Sequence, residues 1–419
     1  MTGRYNCSMD FPRLLMVRQK FPDRALRDIP GEVRGQLAGS GFAARLKPGA
    51  RVAIGVGSRG IHNLATIVRA AVDYWQATGM QPFLFPAMGS HGAGTAEGQA
   101  AVLAHYGITE ATMGCPVQSQ LDVVALGKTP EGIEVFMDKL AFEADGVMLV
   151  SRVKWHTDFA GRIESGLNKM MAIGLGKLAG AQKYHIWSKR LGLENVVLSV
   201  GRRVLESGRM IGGLAILEDA NHDTARVEAV PIENMEAREA ELLAMVKAWA
   251  GRIPCDLDIL VIDEMGKNIS GEYNPWPNTP QIRRIFVRGL TDLTYGNAVG
   301  IGMADVLTDR LVDRIDWNPT RINALTAGNP AGMRLPMHFP TDRECLQAIA
   351  SGTGRLDSRE LTVGWIRNTL ELGLLALSET LRPEIEANPQ LDIVAGPFEM
   401  PFGTDGNLEP LPEPAAALA

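Results

Sequence analysis

The tightest constraint on this chain is a unit that recurs before residue 190: a short apolar run, a glycine-bearing loop, then a segment with helical spacing. "RVAIGVG" at 51–57 leads into "IHNLATIVRAAVDYWQATG", where Leu64, Ile67, Val68, Ala71, Val72 and Trp75 share one helical face and Gly79 stops the run. "QPFLFP" leads into "AMGSHGAGT" and a helix starting near Thr95, and the pattern opens again with "GVMLV" at 146–150. The last run is apolar at every position, as in a strand buried on both faces. Strands of this kind alternating with helices predict an α/β fold with mostly parallel sheets.

At 419 residues the chain is too long for one typical core. We expect two α/β domains with an active-site cleft between them. The first, 1–252, would hold cofactor and catalytic groups and close with the amphipathic segment "IENMEAREAELLAMVKAWA" and "GRIP". The second and smaller, 253–419, would open with the strand of "LDILVIDEMG". It would continue through a strand at "AVGIG" (298–302), a helix at "ADVLTDRLVDRI", a helix near 341–350 and a strand at "LDIVAG" (391–396), its tail free to return to the first domain.

Charge and cysteine content exclude several classes. The formal net charge is −6, from 42 basic and 48 acidic residues with no long run of either sign, so nucleic acid is not an expected partner. Cys7, Cys115, Cys255 and Cys345 lie far apart, which indicates neither a zinc cage nor a disulfide framework. The apolar part of "RLLMVRQKF" is too short for a signal peptide, and no stretch approaches the ~20 apolar residues that span a bilayer. We expect a cytoplasmic protein with no membrane partner; a homo-oligomer is left open.

The loops after the strands carry the chemistry. "GVGSRG" (55–60) matches the glycine pattern of a dinucleotide site, but the next strand ends "FPAMGSHG", without the acidic residue that would hold a ribose. A plain tight turn, or a phosphate or carboxylate site using Gly57, Ser58 and Arg59, fits as well. His91 in "GSHGAGT" is flanked by glycine, and an imidazole there suits proton transfer near neutral pH. In "KWHTDFAGRIESGLNK", His156 follows a strand directly, Arg162 and Glu164 flank a turn, and Lys169 enters the apolar run "KMMAIGLG". Burial there would depress the amine's pKa and leave it nucleophilic, whereas a snorkelling lysine would be the bland alternative. His185 lies beyond "GLGKLAG". No HExxH, HxH or carboxylate cluster fills four positions on a metal, so a bound metal would take most of its ligands from elsewhere.

This ordered set resembles the nickel-dependent lactate racemase family of 2-hydroxyacid racemases and epimerases. The resemblance rests on Arg59, "GSHGAGTAEG" with His91, "WHTDFAG" with His156, "SGLNKM" with Lys169, His185, and "GKNISG" (266–271). It implies a nickel-pincer nucleotide with His185 as the protein's ligand to nickel. It also implies the nucleotide phosphate in the loops of Gly57, Ser58, Gly174 and Gly176, and Lys169 as the amine that tethers the cofactor. His91 and His156 would be the acid/base pair, one for each enantiomer. Arg59, Lys267 and Ser270 would hold a 2-hydroxy acid, with Arg59 also a catalytic candidate because it or Lys267 could polarise the carbonyl, and cofactor-biosynthesis proteins would be partners. Besides about three extra residues between His156 and Lys169, three features depart from the family pattern. "VGS" stands where typical members carry two aspartates and a threonine, "SGLNK" replaces a glycine-rich approach to the lysine, and "GEYNPWPN" is bulky and aromatic. Covalent attachment and the substrate's identity are therefore left open. An NAD-dependent oxidoreductase using "GVGSRG" and a non-catalytic binding protein on the same scaffold are the alternatives.

Overall fold

The computed structural model describes residues 9–411 apart from 58–59, 157–158, 267–268 and 270–279. Its first strand, Leu14–Gln19 (β1), pairs with strands from the far end of the chain, so residues 9–22 belong to the same compact unit as 251–411. This corrects the assignment of the N-terminus to the first domain. Leu14, Leu15, Met16 and Val17 are all buried, and a run this apolar needs a sheet interior rather than an edge. The other unit is Asp23–Ala250.

Within Asp23–Ala250 a five-stranded sheet is built from Arg51–Val56 (β2), Gln81–Pro86 (β3), Gly146–Arg152 (β6), Met210–Glu218 (β7) and Thr224–Pro231 (β8). A separate antiparallel pair, Val123–Lys128 (β4) and Glu134–Asp138 (β5), lies between them in sequence. The sheet order is β3-β2-β6-β7-β8, parallel except for β8. Successive residues of a strand face opposite sides, and here both sides are covered. Val147 and Leu149 enter one apolar cluster while Met148 and Val150 enter another. Each such side chain contributes about 2 kcal/mol on burial. The helix Leu64–Ala77 seals one side through Leu64, Ile67, Val68, Ala71, Val72 and Trp75, all buried. The helix Ala96–His105 starts where Thr95 accepts the amide of Gly98.

The second unit's strands are Leu257–Ile262 (β9), Ile282–Val287 (β10), Val306–Thr308 (β11), Met337–Phe339 (β12), Val363–Ile366 (β13), Leu374–Ser378 (β14) and Leu391–Phe398 (β15). With β1 they form an eight-stranded mixed sheet, β12-β11-β10-β9-β13-β14-β1-β15. Two local expectations fail. Residues 298–302 are not a strand: Gly300 takes the left-handed region at φ 107° and a 3-10 turn follows at Ile301–Met303. The expected helix at "ADVLTDRLVDRI" instead opens with β11, wholly buried between β10 and β12. Only Asp309–Val312 is helical, started by Thr308 accepting the amide of Leu311. Both units are α/β with mostly parallel strands, as the alternation predicts.

Candidate active site

The four parallel strands of the Asp23–Ala250 sheet end on one edge, where open α/β sheets collect ligands. His91 lies in the loop after β3 and His156 in the loop after β6. The loop after β2 contains Gly57, Ser58 and Arg59, of which Ser58 and Arg59 lie outside the described residues, as do Lys267 and Ser270 of the second unit.

The segment 167–174 is the floor of this edge. Leu167–Lys169 is helical and runs into a wider π turn at Met170–Gly174, and the long helix Lys177–Leu191 follows. The neighbouring loops rest directly on it. Gly89 adopts φ 61°, and a Cβ there would lie 3.0 Å from Cγ2 of Ile173 and 3.6 Å from Cβ of Ala181. A Cβ on Gly57 would lie 3.6 Å from Cε of Met170.

Lys169 is half-buried between buried neighbours Asn168 and Met170. Its Nζ lies 6.0 Å from the ring centre of Phe159, and the ring of His156 packs on the same phenyl group at 4.7 Å. The ammonium of Lys169 also acts on His185. Burial first, then the charges of Lys169 and Lys189, push the His185 imidazole down to about 4. Among the described residues none hydrogen-bonds its ring. His185 is thus a neutral imidazole with lone-pair capacity at physiological pH, within electrostatic reach of an amine. Phe159 brings His156 and Lys169 together, the charge of Lys169 is felt at His185, and the His91 loop rests against the same floor.

The carboxylates here have structural work. Glu164, buried, accepts the amides of His156 (2.5 Å) and Gly161 (3.1 Å) and the Nζ of Lys247 (2.5 Å). Lys154 and Ser165 close the excursion by exchanging backbone hydrogen bonds, and Glu194 accepts the amides of Arg162 and Ile163. Glu164 from within the segment and Glu194 from outside it therefore hold the His156 turn in shape, while Arg162 is exposed.

The expectation for "GLGKLAG" as a phosphate loop is corrected. Leu175 and Gly176 spend their amides on the carbonyls of Met170 and Ala172. A Cβ on Gly174 would lie 2.7 Å from the carbonyl oxygen of Ala87, and one on Gly176 2.8 Å from the carbonyl oxygen of Ala172. These glycines admit neighbouring backbone rather than a ligand. The lysine of the motif, Lys177, is fully buried instead of facing a phosphate.

Two further groups shape the floor. Glu239, on the helix Met235–Trp249, is buried and accepts the amide of Asn168 at 3.0 Å, and burial pushes its carboxyl up to about 7. Its signal was a carboxylate at 239 in line with the apolar Met235, Leu242 and Val246. Phe159 stood within "WHTDFAG" but carried no signal of its own. Among the described residues no cluster of three or more His, Cys, Asp or Glu could hold a metal ion, and no helix is long and apolar enough to cross a membrane.

By sequence, the chain matches no protein-family profile and no curated protein. By fold it is similar to the lactate racemase apoprotein from Thermoanaerobacterium thermosaccharolyticum, with a TM-score of 0.52 and 12% sequence identity. The likeness covers 86% of this chain and 99% of that one, and it shows a shared fold.

Proposed function

We propose that this protein is a racemase or epimerase acting at C2 of a 2-hydroxy acid with a nickel-pincer nucleotide as cofactor. The observation that carries the reading is His185: a neutral imidazole without a hydrogen-bond partner among the described residues, within electrostatic reach of the Lys169 amine, in a fold similar to that of a lactate racemase apoprotein.

The donor set fits such a group. Imidazole suits nickel in tetragonal geometry, and a cofactor that brings its own carbon and sulfur donors asks the protein for one nitrogen only. His185 would supply that nitrogen and Lys169 the amine for attachment. When bound, the group supplies reversible acceptance of hydride.

The remaining work falls to the chain. A 2-hydroxy acid losing hydride from C2 must also lose its hydroxyl proton, and a base within hydrogen-bond reach lowers that barrier. His156, with its backbone pinned by Glu164 and its ring against Phe159, would hold the proton on one face. His91 would hold it on the other. Arg59 and Lys267 would grip the carboxylate, the guanidinium by paired hydrogen bonds. Proteins that assemble the cofactor would be partners in the cell.

The test is protein co-produced with such assembly proteins. Intact mass should show an adduct at Lys169 or a dissociable nucleotide, and elemental analysis about one nickel per chain, lost in His185→Ala. A panel of C2-deuterated 2-hydroxy acids should yield an acid that racemises with deuterium retained. Absence of nickel together with bound NAD would overturn the reading in favour of a dehydrogenase.

A further inference from the structure

Lys177 lies two turns before His185 on the same helix, yet its side chain points into the protein and is wholly inaccessible. It holds φ 54°, a left-handed conformation that costs about 1 kcal/mol or more in a residue with a side chain. Its Nζ donates to the carbonyl of Pro86 at 2.9 Å and to Oε1 of Gln99 at 2.6 Å, and lies 3.5 Å from Oδ2 of Asp138. Two hydrogen bonds and one ion pair thus meet the buried amine, as an enclosed polar group requires. Gln99 is equally inaccessible, and its Nε2 donates to the carbonyls of Gly89 (2.9 Å) and His91 (3.3 Å). The orientation of this amide is forced, because lysine only donates and the two carbonyls only accept.

We infer that Asp138, Lys177 and Gln99 form a buried polar brace that positions the loop of His91 against the helix of His185. Lys177 and Gln99 are positioning residues: neither faces a substrate, and both act through the backbone of Gly89 and His91. The arrangement accounts for the lysine in "GLGKLAG", which no nucleotide phosphate can reach, and for its left-handed backbone. It also links the end of β3, the helix Ala96–His105 and the helix Lys177–Leu191 through one chain of hydrogen bonds. Breaking any link leaves a buried polar group unpaired, so the loop is held in one geometry rather than several. The catalytic meaning of that geometry rests on the reading of His91 as an acid/base group; the brace itself does not.

The discriminating variant is Gln99→Glu. It keeps an acceptor for Lys177 but removes the donor to Gly89 and His91. Lys177→Met removes the hub at similar length, and Gln99→Glu keeps the question answerable if that variant does not fold. Amide hydrogen exchange on the full chain should show residues 88–94 exchanging at least tenfold faster in Gln99→Glu, with β2 and β6 unchanged. Equal protection of 88–94 in variant and wild type, or a uniform loss across the sheet, overturns the brace. On the loaded enzyme, kcat should fall at least tenfold with KM within twofold. A loosened loop with unaltered turnover would leave the brace standing and overturn the acid/base role of His91, so the two failures are distinguishable.

Discussion

Glu239 accepts the backbone amide of Asn168 across 3.0 Å, both residues being buried, one residue before the candidate tether Lys169. Gly166 makes room for it, since a Cβ there would lie 2.6 Å from the carboxyl carbon. Among the described residues Glu239 Oε1 and Asn168 Nδ2 have no hydrogen-bond partner. Because the folded-state pKa is raised to about 7 from 4.5, its contribution is fully present below the unfolded value and is lost as pH rises through 7. Glu239→Gln keeps an acceptor without the charge. It should match wild type near pH 4 and exceed it at pH 8, by at most roughly 3 kcal/mol in denaturant unfolding. A variant less stable than wild type at pH 8 would contradict this.

His185 titrates in the opposite sense. Its folded value, about 4, lies below the ordinary 6.5, so the associated stability is present above 6.5 and drains away as pH falls through 4. His185→Gln, which does not titrate, should lose less stability between pH 6.5 and 4, the difference being no more than about 3 kcal/mol. In Lys169→Met the His185 pKa should rise by up to roughly one unit while staying below 6.5, because burial is the larger cause. Carbon-detected histidine NMR measures both; an unmoved His185 would separate the two residues.

Gly174→Ala should cost about 2 kcal/mol, because its Cβ would meet the backbone oxygen of Ala87 at 2.7 Å and push the floor from the His91 loop. Gly35→Ala is the control. It is exposed within the helix Ile29–Gly39 with nothing within 4 Å, and should gain about 0.5–1 kcal/mol. Thermal unfolding decides between opposite signs.

His91→Ala and His156→Ala should each slow racemisation by roughly a hundredfold or more in nickel-loaded protein. Each should still release the hydroxyl proton from one enantiomer in a single turnover, with opposite preference. Identical preference in the two variants would show that the histidines do not serve opposite faces.

Much of this molecule was legible in the amino-acid order. Runs such as "GVMLV" have no polar face, so they form interior strands, and the periodicity of 64–75 leaves one face for the sheet. The loops that follow were therefore identifiable as the place for His91 and His156. Short elements were not: "VLT" at 306–308 becomes a strand only because β10 and β12 lie on either side of it, and "LLMVRQ" joins a sheet whose other strands lie more than 230 residues away.

The side chains' orientations were decided by tertiary structure alone. Lys177 and Lys169 stand eight positions apart in one glycine-bearing stretch and carry the same charge, yet the first is enclosed by Pro86, Gln99 and Asp138 while the second stays near Phe159 and His185. Composition and spacing determine which residues are apolar enough to enclose others. Whether a given ammonium is enclosed depends on acceptors supplied by distant segments, and those meet only when the sheet has formed.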